Sequence, residues 1–175
     1  MTCILATTSL VAQGIKSDIR RANKLYHAKD YARASQEYRR ALLRDSLSTK
    51  ARFGLSASIY AEGRYDEAKT QLERILQQEP QLTPQQQAGV LHNLGNVAMK
   101  KKDYASAVES YQEALIRNPE NEGTRYNLAL AQKLLQKQQQ QQQQDKQQNK
   151  DNQGGNKQQP PQDQPQQKPD QKPQE

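Results

Sequence analysis

The sequence predicts an all-α fold of stacked helical hairpins. Three features carry that reading: apolar residues at helical spacing, their recurrence at a fixed offset, and a proline or turn residue closing each copy. The clearest copy spans 88–121. In it Tyr104, Ala107, Val108, Tyr111, Ala114 and Leu115 fall at i, i+3, i+4, i+7, i+10 and i+11, one face of a helix. Leu91, Leu94, Gly95 and Ala98 mark the helix before it. Asp103-Tyr104 opens the second helix after a short basic turn, and Asn118-Pro119 ends it, because proline cannot continue helical hydrogen bonding.

The same pattern recurs upstream. Gly63, Tyr65, Ala68, Leu72, Ile75, Leu76 and Pro80 superpose on Lys102, Tyr104, Ala107, Tyr111, Ala114, Leu115 and Pro119 after a shift of 39 residues. A further shift of 34 brings in Tyr31, Ala34, Tyr38, Ala41 and Leu42, with Ser46 in the proline place. Stripes this narrow cannot bury themselves alone, so the hairpins must stack. The chain is thus divided into repeats 15–48, 49–81 and 84–121, a closing helix 122–137 and a tail 138–175, with 15–137 as the folded domain.

In chain order, residues 1–13 (MTCILATTSLVAQ) carry no charge and end in small residues. They read as the end of a secretory signal with Ala12 as the cleavage residue, although no Lys or Arg leads in. The segment is too short to span a bilayer, and Cys3, the only cysteine, excludes an internal disulfide.

The first repeat departs from the pattern. Asp18 and Arg21 stand where large apolar residues are expected, and they are read as an outer face with no preceding neighbour to cover. Between the second and third repeats, Thr83-Pro84 suits an N-cap and first helical position. Past Gln138 no apolar side chain other than proline occurs, and Pro161, Pro165, Pro169 and Pro173 recur every four residues. Fraying helix through the glutamines and then disorder is expected there.

Composition bounds the function. The chain has 175 residues, 33% of them apolar, no Trp and a formal charge of +7, enough for one modest domain. Residues 16–50 hold ten Lys/Arg against four Asp/Glu, whereas the tail is neutral. A basic first repeat could meet an acidic partner or an anionic lipid surface. The commoner meaning of scattered Arg on amphipathic helices is a solvated face. No run of Lys/Arg interleaved with aromatics supports nucleic acid. His27 and His92, the only histidines, lie on the first helices of non-adjacent repeats without a third metal ligand. No phosphate-binding glycine loop or acid–base constellation is visible. Neither an enzyme nor a cofactor is expected.

The 34-residue period, the Leu94-Gly95 pair, alanine then an aromatic on the second helix, and the closing proline resemble the tetratricopeptide repeat (TPR). That resemblance implies a right-handed superhelix whose first helices line a concave groove for a peptide or protein partner. It places Ala34, Ala68, Gly95, Ala107, Pro80 and Pro119 in repeat packing. It also turns Asn23, Tyr26 and His27, then Phe53, Ala57 and Tyr60, then His92, Asn93, Asn96 and Met99, then Tyr126, Asn127 and Lys133 inward. Asn96 with Asn127 is the expected pair of backbone-gripping amides. Both lie off the apolar stripe, so stability is expected to change little without them. TPRs that clamp a terminal carboxylate carry cations where this chain has Ile19, Gly89 and Asn93, and only Asn23 matches that class. The run Arg125-Tyr126-Asn127-Leu128-Ala129-Leu130-Ala131, leading into Leu134-Leu135-Gln136-Lys137 and a glutamine tract, resembles BatC-like proteins of the bacterial aerotolerance (Bat) operon. This second resemblance implies a periplasmic or cell-envelope scaffold beside von Willebrand factor A-domain membrane proteins, touching membrane only through partners. The alternatives are a cytoplasmic co-chaperone-like adaptor and an anionic-membrane binder acting through the first repeat.

Overall fold

The computed structural model describes the backbone over residues 3–77 and 82–154, and side chains over 13–77 and 82–147. Seven helices follow in order: α1 Cys3–His27, α2 Tyr31–Arg44, α3 Thr49–Ala61, α4 Tyr65–Leu76, α5 Pro84–Lys100, α6 Tyr104–Arg117 and α7 Glu122–Gly154. There is no strand among the described residues. The chain divides into two units, Met1–Gln136 and Lys137–Glu175. In the first, each helix from α1 to α6 packs on the next, and α1 also touches α3.

The hairpin turns repeat one geometry. Lys29, Gly63 and Lys102 hold φ of 62°, 81° and 60°, and they stand 34 and 39 residues apart, the periods read from the sequence. At each turn two N–H groups reach back across the helix end. Lys29 donates to Tyr26 O and Asp30 to Leu25 O; Gly63 to Tyr60 O and Arg64 to Ile59 O; Lys102 to Met99 O and Asp103 to Ala98 O. The crossed bonds satisfy carbonyls that the first helix leaves open. Asp30 and Asp103 then accept from the N–H of Arg33 and Ser106, both at 3.2 Å, and cap α2 and α6. Arg64 holds the same place before α4 and supplies no side-chain cap. Before α5, Thr83 and Gln86 form a reciprocal capping box with Pro84 in the first turn. That helix therefore opens where Thr83-Pro84 predicted.

The small residues fix how closely the helices approach. Ala34, Ala68 and Ala107 are fully buried. Gly95 lies beneath the Tyr111 ring, where an added Cβ would sit 2.4 Å from Cε1; Gly54 lies beneath Tyr38, with the matching gap 2.3 Å. Around these contacts Ile59, Leu72 and Ile75 are buried completely or nearly so. Each contributes about 1.5–3 kcal/mol by leaving water. One core cluster runs from Ile19 to Val97. A second joins Ala98, Ala107 and Tyr111 to Ala131 of α7, which thereby covers the edge of the third repeat.

Several expectations are corrected. Asp18 is not on an outer face: it is 3% exposed and lies between Arg21 at 2.6 Å and Arg44 at 2.9 Å, so a buried carboxylate is paired with two guanidiniums. Nothing in residues 3–13 breaks a helix, and α1, Cys3–His27, extends upstream of the first repeat. Where a fraying helix was expected through the glutamines, α7 runs through the tract and on to Gly154. Glutamine loses little rotamer freedom in a helix. Pro119 is exposed just past the end of α6, and its carbonyl accepts a hydrogen bond from Arg125 of α7. Pro80 and the four-residue proline series lie outside the described residues.

Two glycines of one helix give a direct test of the packing. Gly89 has no atom within 4 Å of a built Cβ, so Gly89→Ala should raise stability by up to about 1 kcal/mol through helix propensity. Gly95→Ala should lower it by about 1–3 kcal/mol through overpacking against Tyr111. Urea denaturation of both variants measures the difference.

Candidate functional site

The first helices of the three repeats bring Tyr26 of α1, Ala57 and Tyr60 of α3, and Asn93 and Asn96 of α5 to one cavity of about 230 Å³, with Ser56, Leu72 and Val97 at its walls. These five were among the residues placed inward by the register. Tyr26 and Tyr60 are each steadied edge-on by the next tyrosine along the chain. Tyr26 meets Tyr31 at 5.3 Å between ring centroids, and Tyr60 meets Tyr65 at 5.4 Å.

The structure joins the expected amide pair but gives it a different task. Asn127 Nδ2 donates to Asn96 Oδ1 at 3.1 Å, and the Tyr111 hydroxyl donates to the same oxygen at 2.7 Å. Asn96 Nδ2 points to Asn93 Oδ1 at 3.5 Å. Asn96 is thus a hub tying α6 and α7 to α5. Removing it would leave the hydroxyl of an almost fully buried tyrosine without its acceptor, at about 1–3 kcal/mol. The expectation that stability is indifferent to Asn96 therefore does not hold. The first repeat contains the same latch, Tyr38 hydroxyl to Asn23 Oδ1 at 2.5 Å. In both repeats the tyrosine follows its asparagine by 15 residues. That spacing was legible in the sequence and went unused; the second repeat has Ala57 and Leu72 in those places and lacks the bond.

The amide left open is that of Asn93. Among the described residues no hydrogen bond engages its Nδ2, nor the hydroxyls of Tyr26 and Tyr60, all three at the cavity. The remaining candidates scatter. His92 shares a hydrogen bond with Thr124 Oγ1 at 2.8 Å and leans on the Tyr111 ring, so it joins α5 to α7. Thr124, buried at the start of α7, was not foreseen. Met99 packs into the second core cluster. Phe53 borders a separate apolar groove with Gly89 and Val90. Tyr126, 72% exposed, and Lys133 point to solvent, and His27 is exposed at the end of α1.

Electrostatics follow from burial. Desolvation pushes the Tyr111 phenol up to about 12, with the nearby Tyr60 adding to it and Asn127 partly opposing. It raises Tyr60 and Tyr38 in the same direction and pulls the His92 imidazole below its usual value. Arg21, Arg33, Arg39 and Arg44 pair with Glu37 and Asp18, Asp30, Glu67, and Asp18 in turn. Four of the six arginines in 16–50 are therefore directed at neighbouring acids as well as at solvent. No group of three or more His, Cys, Asp or Glu able to hold a metal occurs among the described residues.

Two tetratricopeptide-repeat family models match the sequence, one over residues 25–90 and the other over 88–121. Solved structures share the arrangement. The TPR2AB domain of yeast Sti1, in complex with an HSP90 peptide, is 22% identical over 73% of this chain and half of its own, with a TM-score of 0.65. The first TPR of Spaghetti (RPAP3), bound to the HSP90 peptide SRMEEVD, is 13% identical over 70% of this chain and 94% of its own, at 0.64. The Yersinia enterocolitica type III secretion translocator chaperone SycD is 15% identical over 71% and 90%, at 0.58. At these identities the likeness is one of fold.

The latch should be visible in alkali. Tyr111 has a folded pKa above its unfolded value of 10, so its contribution to stability is complete below pH 10 and is lost as pH rises toward about 12. Urea midpoints measured from pH 8 to 12 should fall less steeply above pH 10 for Tyr111→Phe than for the unchanged protein. Equal slopes would place the phenol in water.

Proposed function

Because this chain is a tetratricopeptide-repeat protein, we propose that it works as a protein-interaction module, holding a peptide or protein segment on the face made by α1, α3 and α5. One observation carries the reading: a cavity on that face is bordered by the Asn93 amide nitrogen and the Tyr26 and Tyr60 hydroxyls, which no hydrogen bond engages among the described residues. Two other asparagines of the face are already matched, Asn23 to Tyr38 and Asn96 to Tyr111. Such a cavity, with a few open polar groups around apolar walls, is what a ligand side chain with its adjoining backbone needs. The Sti1 and RPAP3 structures hold HSP90 peptides on the same fold, which supports a peptide ligand here.

The proposal extends to setting. The junction of Arg125–Ala131 with the glutamine tract, together with the apolar leader-like segment 1–13, supports a cell-envelope scaffold of the Bat type with von Willebrand factor A-domain partners. Against a cytoplasmic co-chaperone-like adaptor stands the chemistry of the clamp positions. Ile19 is buried in the core, Asn23 is bonded to Tyr38, and Gly89 and Asn93 carry no charge. A terminal carboxylate would meet no cation there.

A photo-crosslinking residue in place of Ala57 should capture a discrete partner from cells of the source, and Asn93→Ala should reduce the adduct at least tenfold. The same residue placed at Gln36, exposed on α2, should give none of it. Adducts from Gln36 and none from Ala57 would move the binding face to the opposite side.

A further inference from the structure

Resting on that reading of the face, we infer that its cavity takes one bulky uncharged side chain, of phenylalanine or leucine size, from an internal stretch of the partner, and discriminates against an acidic side chain or a free chain end. The volume fits: the cavity measures about 230 Å³, and an engineered apolar protein cavity of about 150 Å³ holds benzene. Its walls fit as well. Ala57, Leu72 and Val97 supply apolar contact and Tyr26 and Tyr60 supply ring faces, and no Lys, Arg, Asp, Glu or His lines it.

A carboxylate entering such a space gives up hydration and finds no cation, whereas an aromatic or branched aliphatic group gives up nothing of that kind. Poor hydration of the region is consistent with the raised Tyr60 phenol, which burial shifts upward. The Asn93 Nδ2 stands at the rim as a donor for one backbone carbonyl of the same segment. An Asn amide recognises the peptide unit and not its charge, so it suits a continuous chain. Ala57 sets the depth. It is the small residue at the cavity where Tyr60 lies one turn further along the same helix, and a larger side chain there would occupy the space reserved for the ligand.

The test uses the full chain and blocked pentapeptides, acetyl-Ala-Ala-Xaa-Ala-Ala-amide with Xaa Phe, Leu, Asn, Glu or Lys, together with the Phe peptide bearing a free C-terminal carboxylate. Binding is read by nitrogen–proton chemical shifts of Ala57, Asn93 and Val97. The Phe and Leu peptides should shift these signals saturably with a Kd of a few millimolar, the side chain and one backbone contact acting together, and at least tenfold more tightly than the Glu peptide. Ala57→Leu should abolish the shifts with its melting curve retained, and Asn93→Lys should reverse the preference toward Glu. Equal or tighter binding of the Glu or free-carboxylate peptide, binding undiminished in a folded Ala57→Leu, or no shift with any peptide at about ten millimolar would each overturn the inference. Loss of this selectivity with Ala57 crosslinking intact would remove the ligand class and leave the binding face standing. Loss of the crosslink itself would remove both.

Discussion

A tyrosine ring laid on a glycine sets the dimensions of the third repeat. Tyr111 can approach α5 because Gly95 offers no Cβ, and the same approach carries its hydroxyl to Asn96 Oδ1, one residue further along. Packing and hydrogen bonding are therefore not separate contributions here. The close contact brings the phenol into a buried position, and the asparagine makes that burial tolerable by accepting a hydrogen bond from its hydroxyl. Asn127 then uses the same acceptor and holds α7 against the repeat. Tyr38, Gly54 and Asn23 repeat the device between α2, α3 and α1, with the glycine now on the neighbouring hairpin. The stack is thus latched near both ends, and the second repeat between them, with Ala57 and Leu72 in the latch places, is held by apolar packing of Leu55, Ile59, Ala68, Leu72 and Ile75.

That division of labour separates two asparagines lying three residues apart on α5. Asn96 is committed to the fold, and Asn93 retains a free donor beside the cavity. A face that binds a chain segment needs both kinds. The committed amides keep the walls rigid, which limits the ordering cost on binding, and the open one provides direction. His92 and Thr124 serve the first purpose too. Half-buried, the imidazole has a pKa lowered by desolvation below its ordinary 6.5, so its contribution to stability is present above that value and fades as pH falls.

How far the sequence revealed this depends on whether a feature is local. The turns after α1, α3 and α5, the caps at Asp103 and Thr83, and the stop at Asn118 need only neighbouring residues, and each could be read directly. The cavity residues Tyr26, Ala57, Tyr60 and Asn93 followed from helical period and repeat register, because register fixes which face a residue occupies. What register does not give is the partner that a polar side chain finds across helices. Asp18 looked like a solvated acid until Arg44, 26 residues later, was seen beside it. Asn96 looked like a ligand-facing amide until Tyr111 was found to use its oxygen. The glutamine tract is a separate case. Its lack of apolar residues argues against a packed core, and a helix still forms there because each residue has adequate propensity.

The central claim is that Tyr111 and Asn96 act as one unit, and a double-mutant cycle on stability addresses it most directly. Urea denaturation of the unchanged protein, Tyr111→Phe, Asn96→Ala and the double variant yields the coupling between the two side chains. A latch of the observed geometry predicts a coupling of about 1 kcal/mol or more, with Asn96→Ala costing less once the hydroxyl is gone. Simple additivity of the two single changes would contradict it.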